Sequence, residues 1–243
     1  MEEISIKAQE LFSIMGFPVT NSLFLTFFVS CVLISLALII HRKVNIIPGK
    51  LQSAVEIGAE WFLDLMGSAL GSVQKAERYF PLVATIFVFI LVSNLLGIFP
   101  GVGSIILHNH GKEISLFRSP GADLNFTLAF AVISVIATNV LGAMAVGGWT
   151  HLGKFFNFKN PIAFFIGILE IISEFAKIVS LSFRLFGNVF AGEVLLTIIF
   201  FLAPYIIPLP FLFLEIFVGL IQAFLFAMLT LVSISLHTAM QEH

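Results

Sequence analysis

The sequence predicts an all-α, multi-pass membrane protein. It has about five membrane-crossing helices, one amphipathic surface helix, and a C-terminal hairpin of two long tilted intramembrane helices. Three observations lead there. Of 243 residues, 59% are hydrophobic and only 11% are charged, where soluble domains carry about a quarter charged residues; mean hydropathy is +1.08. Charge-free stretches long enough to cross about 30 Å of hydrocarbon recur along the chain. The C-terminal third is almost wholly apolar, broken by one proline-rich turn, yet carries a few ionisable groups. The 29 phenylalanines suit lipid-facing and helix-packing surfaces, and a net charge of −2 gives no footprint for nucleic acid. The one cysteine, Cys31, lies in an apolar run; it reads as a small packed side chain, and no intramolecular disulfide is possible.

Taken in order, residues 1–20 are mixed and polar and read as a short helix or tail outside the bilayer. The start is acidic (Glu2, Glu3) and does not resemble a secretory signal. Residues 21–40 form the first span, ended by His41-Arg42-Lys43. Residues 48–78 read as the amphipathic surface helix: Glu56, Glu60 and Asp64 recur at i, i+4 and i+8 on one stripe, with Val55, Ile57, Trp61, Phe62 and Leu65 between them. That stripe could also dock a partner subunit. Residues 80–99 are a second span, and 101–122 a loop containing His108 and His110, which fall short of a metal-ligand set; the metal expectation is none. A third span covers 123–148. Asp123 opens it, either as a plain helix cap or as a polar group at a channel mouth.

Residues 162–202 contain no proline. A continuous helix of that length would run about 60 Å, about twice the hydrocarbon thickness. Either it breaks in two or it lies strongly tilted, and the lack of a breaker favours tilt. Pro204, Pro208 and Pro210 mark the turn, and 209–238 is the second long helix. The whole chain, 1–243, reads as a single integral membrane domain. Lys and Arg concentrate in 41–79 and 149–160 rather than in the N-terminal tail. By the positive-inside rule the N-terminus lies outside and the C-terminus is cytoplasmic.

The chemistry sits in the two long helices. Arg184 cannot shed its charge, and an arginine at a membrane helix centre costs roughly 2.5–3.5 kcal/mol. It must be paired, or face water or a partner's charge. Pairing with Glu170 or Glu174 on its own helix is opposed by separations of about 21 and 15 Å along the axis. Lys177, Arg184 and Asn188 share a polar stripe, while Glu193 lies about 180° round the helix. Glu215 and Gln222 share one face of the last helix. Packing the two helices could place Glu193, Glu215 and Gln222 around a wet crevice, where carboxylates can take and release protons; plain interhelical hydrogen bonding is the simpler role for the same residues.

The stretch Leu181-Ser182-Phe183-Arg184-Leu185-Phe186-Gly187-Asn188, followed by Ala191-Gly192-Glu193, resembles the signature of the membrane-embedded a subunits of F-type ATP synthases. Pro48-Gly49-Lys50-Leu51-Gln52, Ser93-Asn94-Leu95-Leu96-Gly97-Ile98-Phe99-Pro100-Gly101, Ala122-Asp123-Leu124-Asn125 and Gln222-Ala223-Phe224 match in the same order. The resemblance implies a proton-translocating stator in an energy-coupling membrane, bacterial or mitochondrial inner. Its partners would be a ring of c subunits, b-type peripheral stalk subunits, other synthase subunits and the lipid bilayer. It implies that Arg184 is an electrostatic gate facing the ring between two half-channels, with Asn188, Glu193, Glu215 and Gln222 on the proton path. Asp123, Asn125, Lys177 and His237 are weaker assignments, and no cofactor is implied. Two departures stand out. Some members pair a carboxylate with a histidine where this chain has Glu193 and Glu215, and Ile178 follows Lys177 where proline often stands. The chain has no phosphate-binding Gly-Lys-Ser/Thr loop, so it performs no phosphoryl transfer by itself. An ion-coupled secondary transporter, with Arg184 binding an anionic substrate, is the alternative reading. A lipid-modifying enzyme would need a clustered catalytic set at the interface, and none is evident.

Overall fold

The computed structural model describes residues 8–14, 16–42, 44–46, 48–99, 105–109, 112–148, 153 and 161–239. Its helices are α1 (Asn21–Arg42), α2 (Lys50–Leu70), α3 (Val73–Ile98), α4 (Leu124–Val146), α5 (Pro161–Leu202) and α6 (Pro208–Ala239). All but α2 are long and apolar enough to cross a membrane. The protein is therefore an all-α, multi-pass membrane protein. His110, the loop lysines Lys154 and Lys159, and the tail Gln241-Glu242-His243 lie outside the described residues.

Three expectations need correction. Cys31 is exposed on α1, not packed inside. Residues 10–20 are not helical: β1 (Glu10–Ile14) and β2 (Phe17–Thr20) form an antiparallel hairpin. Gly16, at φ 85°, supplies the left-handed backbone the tight turn requires. Alternation does the rest, with Leu11 buried and Phe12 exposed. Nor is 48–78 one helix. Gly71 adopts φ 67° at the end of α2, and Ser72 then caps α3 by accepting from the Lys75 amide. This Gly-then-Ser pair is a C-cap followed by an N-cap. Lys75, Glu77 and Arg78 thus belong to the foot of the following span.

Helix α2 is amphipathic as its sequence requires. Glu56, Glu60 and Asp64 are exposed, while Phe62 and Met66 are buried against Ala76, Tyr79 and Val83 of α3 and Ala227, Leu231 and Ile234 of α6. A second apolar cluster joins Ile86 and Ile90 of α3, Ala131 of α4, Leu181, Leu185 and Val189 of α5, and Ala223 and Phe226 of α6. The central helices are α3, α4, α5 and α6; α1 lies at the side against α3.

Helix α5 is one unbroken helix of 42 residues, which excludes the two-piece alternative. It is too long to stand upright in about 30 Å of hydrocarbon. It returns through Ala203–Ile207 into α6, whose first turn holds Pro208 and Pro210, where proline's missing amide costs nothing.

Polar side chains tie the helices at defined heights. Ser134 on α4 meets Thr230 on α6 at 2.8 Å, and Thr127 on α4 meets Ser182 on α5 at 3.2 Å. Asn94 on α3 donates to the Gly219 carbonyl on α6 at 3.1 Å. Interhelical hydrogen bonds in membranes average only about 0.6 kcal/mol, so they set register more than they hold the bundle.

Asn94 is 1% exposed, and its amide closes against a glycine that offers no side chain of its own. Replacing Asn94→Leu should remove the bond that Asn94 adds to the helix-bonded Gly219 carbonyl and overpack this contact. It should lower stability by about 1–3 kcal/mol, read as earlier unfolding in a detergent-solubilised denaturation series.

Candidate functional site

Arg184 lies on an exposed face of α5 with Ser180, Phe183, Gly187, Asn188 and Ala191. These positions recur at helical spacing, so they form one outward stripe. Apart from the phenylalanine and the arginine, its side chains are small. The arginine's Nη2 donates to Ser180 Oγ at 3.3 Å. Among the described residues no carboxylate lies within ion-pair distance of it. Glu174 is occupied elsewhere: it accepts from Lys177 Nζ at 2.6 Å and from Asn139 Nδ2 at 3.0 Å. The intrahelical pairing weighed from the sequence is therefore not formed.

Two polar clusters lie on the other faces of α5, on opposite sides of Arg184 along the helix. The first is nearer the α5–α6 turn. The Glu193 carboxylate lies 3.5 Å from Arg118 Nε, and Glu215 of α6 is buried where the two helices cross. Gly192 makes that crossing possible: a Cβ there would stand 2.6 Å from Glu215 Oε1. The absence of a side chain lets the carboxylate lie directly on the α5 backbone. Glu193, next to Gly192 in the chain, and Glu215 therefore lie at the same level of the hairpin.

Arg118 reaches this cluster because the segment after it is wedged into the bundle. Ser119 to Asp123 are all buried. A Cβ on Gly121 would sit 2.9 Å from Asn94 Oδ1 and 3.0 Å from Val189 Cγ2. Val189 is one turn before Glu193, so the wedge fixes the arginine at the level of the acid.

The second cluster is nearer the open end of the hairpin. Besides Lys177 and Asn139, Glu174 Oε1 has His237 Nε2 at 3.2 Å, and His237 Nδ1 lies 2.6 Å from the Ser233 carbonyl. Glu170, Glu174 and His237 bring three ligand-type atoms within 4.8 Å of one another. The ammonium of Lys177 already supplies a cation there, in direct contact with Glu174.

The remaining residues separate. Gln222 is buried on α6 and, by antiparallel register, lies level with the turn of α5 around Asn188. Asp123 is both a cap and a tie: it accepts from the Asn125 amide at 2.9 Å and from Ser22 Oγ of α1 at 2.5 Å. Asn125 is exposed at the start of α4. Sequence reasoning missed Arg118, Asn139 and the Glu174–His237 pairing, and read Glu174 only as a candidate partner of Arg184. Arg118 and Asn139 sit far along the chain from their partners, and no local spacing announces them.

A family model described as ATP synthase A chain matches residues 23–235. The chain is 33% identical over 230 residues to the ATP synthase subunit a of Moorella thermoacetica, covering 95% of this chain and 96% of that one. It is 34% identical over 215 residues to the ATP synthase subunit a of Campylobacter concisus, 88% of each chain. To an ATP synthase subunit a 3 of Pelobacter propionicus it is 35% identical over 211 residues, 86% of this chain and 83% of the relative.

A buried carboxylate that loses its cation is costly. Lys177→Met should destabilise the protein by about 1.5–3 kcal/mol, the worth of a charged hydrogen bond. Adding Glu174→Gln should recover part of that loss, since the stranded charge is then gone. A double-mutant cycle on denaturant unfolding in detergent checks both signs.

Proposed function

The chain belongs to the ATP synthase A chain family, and from that premise we propose that it is the proton-translocating stator subunit of a rotary F-type ATP synthase, with two half-channels offset about Arg184. One observation carries this reading: a permanent cation on an outward face of α5, with one polar cluster towards each end of the helix. Glu193 is about 13 Å from Arg184 along the axis in one direction, and Glu174 about 15 Å in the other. Neither cluster alone spans a bilayer, and the arginine lies between their levels.

The outward stripe of α5 faces a ring of c subunits, each carrying a membrane carboxylate. Small side chains at Ser180, Gly187 and Ala191 let that ring approach closely, as helix contacts in membranes require. A ring carboxylate that reaches Arg184 meets a fixed positive charge and stays ionised there. On one side of the arginine it takes a proton from the path lined by Glu193, Glu215, Gln222 and Asn188. On the other it releases one beside Lys177, Glu174 and His237. Arg184 cannot relay a proton, so protons cannot pass directly between the two paths and must travel round on the ring. The charge moved is worth about 2.3 kcal/mol per 100 mV, which the ring delivers as torque.

By the Lys/Arg distribution, the Glu193 cluster opens to the outer side and the Lys177 cluster to the cytoplasm. The bacterial sources of the similar proteins favour a bacterial inner membrane. The exposed acidic stripe of α2 is available to peripheral stalk subunits. Asp123, with both carboxylate oxygens engaged, acts as a cap and tie at the outer mouth.

ATP-driven proton pumping in inverted membrane vesicles tests this. At equal assembly of the complex, Arg184→Ala should abolish pumping and open a passive proton leak through the membrane sector. Undiminished pumping would overturn the gating role and favour a transporter in which Arg184 binds an anion.

A further inference from the structure

Two carboxylates, Glu193 and Glu215, lie at one level of the hairpin, and Glu193 lies beside an arginine, Arg118, that the proposed proton path does not use. We propose that Arg118 is a positioning residue: it holds Glu193 as a fixed anion and leaves Glu215 as the group that exchanges protons in this half-channel. The inference rests on the half-channel reading above and assigns separate roles within it.

Three features of the geometry support the division. The Arg118 side chain is only 10% exposed and lies 3.5 Å from Glu193 Oε1. Its guanidinium stays charged, so a buried cation needs a permanent anion beside it. Glu193 is held from both ends: the Ser119–Asp123 wedge fixes the arginine, and the α5 backbone fixes the acid. Glu215 is placed differently. Its carboxylate lies over Gly192 at the helix crossing, and its Oε2 is buried without a hydrogen-bond partner among the described residues.

Glu193 has a guanidinium beside it, and the buried Glu215 carboxylate is balanced by a proton when the site is loaded. The proton then has one seat, Glu215 on α6, which lies against the Gly192 backbone of α5 on the same α6 face as Gln222. Loading places a proton on a Glu215 oxygen, and unloading passes that proton to a ring carboxylate; no other bond changes.

The test uses the assembled synthase in inverted vesicles, with ATP-driven pumping read against the amount of complex. Glu215→Gln should abolish pumping. Arg118→Gln should lose most of it, and Arg118→Lys, which keeps the charge, should restore a large part. The double variant Arg118→Gln/Glu193→Gln removes both ends of the pair and leaves no stray charge, so it should pump better than Arg118→Gln alone. In the Arg118→Lys background, read at equal assembly of the complex, Glu215→Gln should be inactive while Glu193→Gln keeps measurable pumping.

The roles assigned here are overturned if Arg118→Gln pumps fully, if lysine rescues no better than glutamine, or if Glu193→Gln is as inactive as Glu215→Gln in every background. Normal pumping by Glu215→Gln would go further and remove this half-channel itself. An inactive Glu215→Gln without compensation by the double variant would remove only the role of Arg118.

Discussion

A guanidinium cannot discard its charge, and Arg184 carries one on the outside of a helix built largely from Ile, Leu, Phe and Val. In hydrocarbon that placement costs several kcal/mol unless an opposite charge or water meets it. Among the described residues this requirement is unmet. Glu174, which could have folded back, is held by Lys177, Asn139 and His237, and Glu193, on the far side of the helix, lies beside Arg118. With its internal partners committed, the arginine faces outward, and its neighbours on that face are mostly too small to cover it. A charge kept available in this way is what a passing carboxylate on a partner would need.

The same economy shapes the hairpin. Helices α5 and α6 cross where a glycine meets an acid: Gly192 receives Glu215, and one turn further along α6 Gly219 receives Asn94. Asn94 thereby finds a backbone acceptor without water, whereas Glu215 is brought onto the α5 backbone with its Oε2 buried and unpaired. The apolar clusters then fill the heights between the polar ones. The core is thus layered along the hairpin, with a polar layer towards each end and Arg184 at an intermediate level on its rim.

Much of this was legible in the sequence, and what was not has a physical reason. The spans were visible because hydrocarbon demands long uncharged helices, and α5 was recognisable as one piece because nothing in it breaks a helix. The break at Gly71-Ser72 was written locally but was overridden by the continuing polar pattern up to Arg78. The hairpin at 10–20 was missed because two strands that short leave only a weak alternation. Glu193 and Glu215 could be placed at one level of the hairpin from an antiparallel turn, while Gln222 lies about 10 Å further along α6. Arg118 could not, because its position depends on a buried wedge between α3 and α5, a long-range packing fact that no local period encodes. The same holds for His237, which meets Glu174 only because α6 returns along α5.

The central claim is that the Arg184 face of α5 is the surface that meets the ring. Disulfide cross-linking tests it most directly, after replacing the exposed native Cys31 with serine. Cysteines placed singly at Gly187 and Ala191 should cross-link to cysteines introduced next to the ring carboxylate. Cysteines at Leu185 and Val189, which point into the bundle, should not. Cross-links from the buried pair, or none from Gly187 and Ala191 in assembled complex, would contradict the account.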